Sequence, residues 1–271
     1  MPELPEVETI TRQLNKALAG KIISRAEILL PKIVKLPAAQ FQNALKDAKI
    51  KAVYRRAKIL IFELSNGQTM LMHLKLSGQL ILNGQKSKHT HLIFHFTDKS
   101  HLIFNDQRQF GYVKLIATAD LPELFKKEGI GPEPLQNDFA LADFETILRR
   151  RPKTKIKQFL MDQKNIAGIG NIYADEILFY AGVHPLRHAQ TLKNAETKKI
   201  FSAIKKILTE AIALKGTSAD LYLDAYGHEG SYLSRLKIYG REGEKCVKCK
   251  GEVKRIKLGG RSAHFCPKCQ K

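Results

Sequence analysis

Four cysteines lie close together near the end of the chain, as Cys246-x-x-Cys249 and Cys266-x-x-Cys269, with sixteen residues between the pairs. Two CxxC knuckles at that separation let four thiolates converge tetrahedrally on one zinc ion. Two disulfides are the alternative. The start of the chain lacks the basic-then-apolar layout of an export signal, so a reducing compartment, and therefore zinc, is expected. Four protein ligands leave no open coordination position, which makes the expected ion structural. The other end offers different chemistry. In Met1-Pro2-Glu3 the small second residue permits loss of the initiator Met, leaving Pro2 with a free secondary amine. An α-amine titrates near ~7.7–8.0. Its neutral form attacks electron-poor carbon and forms an iminium, as catalytic lysines do in Schiff-base chemistry. A frayed terminus is the bland alternative, and Glu3 and Glu6 can equally complement a helix dipole. The terminal residues alone do not decide.

These groups must be held by something. Val7, Ile10, Leu14 and Leu18 recur at helical steps behind Pro5, predicting a helix over 5–18. After Gly20 the period changes. Met70, Met72, Leu74 and Leu76 alternate with Thr69, Leu71, His73 and Lys75, and short apolar runs follow at 59–64, 91–96, 101–104 and 112–117. Strands at this spacing predict an antiparallel sandwich or barrel. Gly129-Ile130-Gly131-Pro132-Glu133-Pro134 reads as part of a linker. Helical patterns then run over 138–151, 154–162, 172–182 and 191–214, with the Gly-rich break 167–171 opening the third of them, a place where backbone N–H groups can meet a phosphate. Residues 216–232 read as a loop. The expected domains are 1–120 (leading helix and β-sandwich), 121–137 (linker), 138–232 (helical, with the loop) and 233–271 (zinc finger).

Composition excludes several classes. The 271 residues are 44% hydrophobic and 27% charged, as in a globular protein, and no apolar run is long enough to span a bilayer. With 46 Lys and Arg against 26 Asp and Glu the net charge is +20, a field that attracts polyanions, nucleic acid foremost. From Leu233 onward there are 12 Lys or Arg and 3 Asp or Glu, so nearly half the excess sits beside the cysteines.

The stretch from Met1 to Thr9, MPELPEVET, resembles the N-terminus of the formamidopyrimidine-DNA glycosylase (Fpg) family of base-excision repair enzymes. So do Arg55-Arg56-Ala57-Lys58, His73-Leu74-Lys75-Leu76-Ser77-Gly78, Asp106-Gln107-Arg108-Gln109-Phe110-Gly111, Asp162-Gln163, the run from Ala167 to Glu176, and the cysteine tail with Gly259-Gly260-Arg261. The resemblance follows the same order over nearly the whole chain. It implies a multi-domain α+β fold: an N-terminal helix with an antiparallel β-sandwich, then a helix–two-turns–helix domain with a C-terminal four-Cys zinc hairpin.

It also implies roles. Pro2 is the expected nucleophile at C1′ of the damaged nucleotide, and Glu3 assists base loss and sugar-ring opening. Lys58 and Arg261 are expected proton donors in strand cleavage. Asn171 contacts phosphate; Leu76, Arg108 and Phe110 fill the gap left by a flipped nucleotide; His89 or His91, and Lys153, touch DNA. Flipping is required because a stacked base is out of reach, and an inserted apolar side chain offsets lost stacking. Blander readings stand beside these: Phe110 as a core aromatic, Lys58 as part of a solvated basic strand, Arg261 as an ordinary phosphate contact. Leu76 stands where the family commonly has Met, Gln109 at a position often basic. Thr217–Gly230, matching the lesion-capping loop, departs from the usual charge pattern at Ala219-Asp220-Leu221-Tyr222 and Tyr226-Gly227-His228-Glu229. The function implied is a bifunctional glycosylase and abasic-site lyase for oxidised purines in double-stranded DNA, with one structural zinc and no organic cofactor. It is expected to act as a cytoplasmic monomer in a bacterium, bound to the nucleoid through DNA, with no membrane and no obligatory protein partner. The rivals are an endonuclease VIII-like enzyme for oxidised pyrimidines and a non-catalytic zinc protein that binds damaged DNA.

Overall fold

In a computed structural model of the chain, residues 2–271 are described. Helix α1 (Leu4–Leu18) forms where the apolar stripe predicts it, and Leu4, Val7, Ile10, Leu14 and Leu18 are all buried. Each such side chain contributes roughly 1.5–3 kcal/mol when withdrawn from water. The chain continues through β1 (Ile23–Ile28), α2 (Ala38–Leu45), β2 (Ile50–Arg56), β3 (Ile59–Leu64), β4 (Gln68–His73), β5 (Gly78–Leu82), β6 (Thr90–Phe96), β7 (His101–Asp106) and β8 (Tyr112–Ala117). The strands make two four-stranded antiparallel sheets, ordered β1-β6-β7-β5 and β2-β3-β4-β8. Their inner faces share one core, with Leu60, Phe62, Met70 and Met72 from one sheet against Leu80, Leu92, Phe94 and Phe104 from the other. Of the sandwich and the barrel that the strand spacing allows, the sandwich is formed.

Next come α3 (Leu121–Glu128), α4 (Leu141–Arg149), α5 (Ile156–Met161), α6 (Asn171–Ala181) and α7 (Asn194–Ala213), then the hairpin β9 (Lys254–Leu258) and β10 (Arg261–Phe265). Two compact units result. One holds the described chain as far as Gly129 together with Leu214–Leu233; the other holds Ile130–Ala213 and Ser234–Lys271. Among the described residues no helix is long and apolar enough to cross a membrane.

Several local features differ from the sequence expectation, among them α2, for which no helix is expected. The segment 121–137 carries α3, ended by Gly129 in the left-handed region at φ 64°. The residues 214–233, which follow the helices in sequence, fold back onto the sandwich unit. Strand β4 stops at His73, although the alternation runs on to Leu76. Lys75 takes a positive φ of 52° and the Gly78 N–H donates to the Leu74 carbonyl at 2.9 Å, so 74–78 is a tight turn.

Candidate active site and metal centre

Glu3 sits at the N-cap of α1 and is 2% exposed; Pro2 before it is buried as well. The Glu3 N–H donates to Glu6 Oε2 at 2.8 Å, satisfying one of the donors that a helix start leaves open. The other oxygen of Glu6, Oε1, accepts the Thr217 N–H at 2.8 Å. Gly216 makes this contact possible: it has φ +80°, and a Cβ there would stand 2.7 Å from Glu6 Oε1. One buried carboxylate thus joins the start of α1 to the loop 214–233.

Lys58 is 6% exposed, in the two-residue turn between β2 and β3, where Arg56 pairs with Ile59. Its neighbour Ala57 is held at φ 52°, a conformation costing a non-Gly residue on the order of 1–2 kcal/mol. Glu8 binds this turn to α1: Oε2 accepts Arg55 Nε–H at 2.5 Å and Oε1 accepts Arg12 Nε–H at 2.6 Å. The Arg55 side chain is 10% exposed and committed to that ion pair. Lys58 is therefore not part of an open basic strand, and the same sandwich unit carries it with Pro2 and Glu3.

A second cluster is organised by Asp106, which is fully buried. Its Oδ1 accepts Ser77 Oγ–H at 2.5 Å and its Oδ2 accepts the Gly111 N–H at 2.6 Å, while Ser77 Oγ accepts the Arg108 N–H at 2.9 Å. Asp106 so ties the turn bearing Leu76 to the turn bearing Arg108 and Phe110. The Arg108 guanidinium lies 5.2 Å from the centroid of the Phe110 ring, and Phe110 is 55% exposed. A core role for that aromatic is excluded. His91 is buried, with Nε2 2.8 Å from the Asp106 carbonyl, and His89 is half-buried, accepting the Asp106 N–H on its carbonyl.

His73, beside the β2–β3 turn, accepts the Lys75 N–H on Nδ1 at 3.0 Å. Burial first, then the charges of Lys75 and Lys58, push its pKa down to about 3. The unfolded chain takes up a proton at the ordinary value near 6.5, the folded chain only near 3. Stability linked to the neutral ring is thus complete above about pH 6.5 and lost progressively as pH falls towards 3. Melting temperatures measured between pH 7 and 4 should fall less steeply for His73→Gln than for the parent; parallel slopes would contradict this.

In the second unit, Asn171 is the first residue of α6. The Gln163 side chain braces the turn before it: Nε2–H donates to the carbonyls of Met161 and Ile169 at 2.9 and 2.8 Å, and Oε1 accepts the Gly168 N–H at 2.8 Å. Lys153 is exposed. Arg261, also exposed, opens β10 immediately after Gly259-Gly260, whose φ values of 56° and 77° give the mirror-image turn suited to a two-residue hairpin.

A buried ion network, not singled out from the sequence, supports that hairpin. Lys157 Nζ lies 2.7 Å from Asp175 Oδ1 and donates to the Ser262 carbonyl at 2.5 Å. Asp175 Oδ2 accepts both the backbone N–H and the Nδ1–H of His264 at 3.0 Å. Lys157 and Asp175 are each 1% exposed. No local signal in the sequence marks it, since Lys157 stands beside the equally polar Gln158 between Ile156 and Phe159. Glu176 accepts the N–H groups of Lys237, Ile238 and Tyr239, each at 2.9–3.1 Å, fixing the segment that leads to the cysteines. Burial pushes its carboxyl up, against the pull of those three donors.

The four cysteine Sγ atoms lie within 4.8 Å of one another, with Cys246–Cys269 at 3.8 Å and Cys249–Cys266 at 3.4 Å. A tetrahedral zinc with bonds near 2.3 Å requires sulfurs about 3.8 Å apart. The donors fit one structural zinc, which would tie the two knuckles together.

Comparison with known proteins agrees along the whole length. The family models that match are the formamidopyrimidine-DNA glycosylase N-terminal domain over residues 1–113, the formamidopyrimidine-DNA glycosylase H2TH domain over 130–222, and the zinc finger found in FPG and IleRS over 243–271. The formamidopyrimidine-DNA glycosylase of Listeria innocua is 45% identical over 100% of both chains, as is that of Carboxydothermus hydrogenoformans. The Lactococcus lactis Fpg, solved in complex with DNA containing N7-benzyl-Fapy-dG, superposes with a TM-score of 0.93 at 38% identity, again over 100% of both chains.

Proposed function

Because the chain belongs to the formamidopyrimidine-DNA glycosylase family, and is a DNA glycosylase by that membership, we propose that it excises oxidised purines from duplex DNA and then cleaves the strand. The substrates are 8-oxoguanine and formamidopyrimidines. The Pro2 amine attacks C1′ of the flipped nucleotide; a nitrogen–carbon bond forms as the glycosidic bond breaks, and the base leaves with that bond's electrons and a proton. The C1′–O4′ bond of the sugar then breaks, its electrons and a proton going to O4′ as the nitrogen lone pair forms the C1′=N bond. The iminium so produced is its own electron sink, so successive β- and δ-elimination need no organic cofactor. Glu3 assists base loss and ring opening, and Lys58 and Arg261 donate protons during cleavage. Leu76, Arg108 and Phe110 occupy the gap in the duplex, repaying part of the few kcal/mol that flipping requires. Asn171, Lys153 and one of His89 and His91 hold DNA.

The observation that carries this reading is the burial of Pro2, Glu3 and Lys58 in one unit, with Glu3 at 2% and Lys58 at 6% exposure. Withdrawing ionisable groups from water costs stability, and a buried lysine and glutamate call for a function that offsets the cost. The exposed Phe110 with Arg108 above its ring supports the wedge. Borohydride trapping on a panel of duplexes tests mechanism and substrate together. Covalent adducts are expected with 8-oxoguanine, formamidopyrimidine and abasic duplexes. Tight binding without an adduct would point to a non-catalytic protein; adducts confined to oxidised pyrimidines would overturn the purine assignment.

A further inference from the structure

The loop 214–233 is fastened to α1 at Glu6, and again further along the helix. Gln13, two turns on, makes this second tie. Its Nε2–H donates to Asp224 Oδ2 at 2.8 Å and its Oε1 accepts the Ala225 N–H at 2.9 Å. Asp224 is fully buried, and its other oxygen accepts the N–H groups of Tyr226 and His228, each at 2.9 Å. The same turn is closed by the Asp224 N–H donating to the His228 carbonyl at 2.8 Å. The Ala225 carbonyl accepts the Leu82 N–H from the edge of the sandwich at 2.8 Å, and Tyr222 and Ala225 belong to the main core. Between the fixed points at Thr217 and Tyr222, residues 219–221 are exposed.

We propose that Gln13 and Asp224 are positioning residues for base recognition. They hold the loop in its reading shape before DNA arrives, so that discrimination of a damaged base depends on the pair while cleavage at a sugar already lacking its base does not. The proposal rests on the reading that Thr217–Gly230 caps the lesion. A loop that must order itself on binding loses affinity to that ordering, and a loop already ordered does not. The buried Asp224 carboxylate needs donors to offset its burial, and the Gln13 amide is the donor that comes from outside the loop. Gln13 and Asp224 are 211 residues apart in sequence, so the tie is long-range and does not follow from the loop's own conformation.

The test uses the full chain with zinc, in four forms: parent, Gln13→Glu, Asp224→Asn and the double variant. Each is assayed under single turnover for 8-oxoguanine excision and, separately, for cleavage of a preformed abasic site, with a thermal melt of each. Gln13→Glu sets two carboxylates face to face and should lower excision about tenfold or more, leaving abasic cleavage within about twofold. The double variant reverses donor and acceptor across the pair and should restore excision. Should Gln13→Glu fail to fold, Gln13→Ala removes the contact without adding charge and should give the same split. Equal loss of both activities would make the tie mere fold support and overturn the proposal; so would loss of neither, or a double variant without recovery. A parent protein that cleaves abasic DNA yet leaves 8-oxoguanine in place would sink the capping-loop reading itself, and the proposal with it.

Discussion

A polypeptide that carries an extension in front of Pro2 is expected to lose strand cleavage by roughly 10⁴-fold or more, the scale on which removal of a covalent nucleophile is felt. Affinity for duplex DNA should stay within a few-fold of the parent. The expectation rests on the proposed attack by the Pro2 nitrogen, which an amide bond deprives of its lone pair. Pro2 and Glu3 are both withdrawn from water, so the nitrogen concerned lies in the buried part of the unit. Cleavage kinetics with borohydride trapping, set beside a binding isotherm at fixed salt, separate chemistry from binding. Normal cleavage by extended protein, with intact mass confirming that the extension remains, would remove Pro2 from the mechanism.

Stripping the metal is the other large effect. The packing around the cysteines is small: Phe179, Ile238, Val253 and the buried Cys246 and Cys266 make up the local core. A core of that size holds the two knuckles only weakly, whereas a structural zinc contributes an apparent 10–16 kcal/mol, on the order of a whole domain's stability. Chelation, or Cys249→Ser, should therefore unfold the hairpin bearing Arg261 and reduce DNA affinity by about 100-fold or more, since the basic tail then loses its shape. The sandwich unit should keep its own melting transition. Metal analysis with calorimetry checks both; a zinc-free protein that retains DNA affinity and an intact second unit would contradict the assignment.

Local period and local spacing account for what was legible. Strands β3 and β8 begin and end where the short apolar runs do, α1 follows its stripe, and the spacing of the two CxxC pairs, read with the expected reducing compartment, points to the metal centre. Short elements escaped: α2 and α3 have eight residues each, too few for a helical period to stand out. The alternation misled at Leu74–Leu76 because hydrophobic pattern carries no information about the positive φ of Lys75. Long-range polar pairing was invisible. Lys157, Asp175 and His264 read singly as ordinary surface residues, and only the fold places them in one buried network. Asp106 belongs to a recognisable motif, yet nothing in its neighbours says that it reaches Ser77.

That buried network has a mechanical consequence. Asp175 lies one turn along α6 from Asn171, and its partners Ser262 and His264, one through Lys157 and one directly, are the second and fourth residues of the strand that Arg261 opens. Asn171, half-buried, and the exposed Arg261 are thus mounted on a single stiff bracket, and a shift of either drags the other. A backbone gripped at Asn171 would find Arg261 already at its station, with no separate search by a floppy hairpin tip.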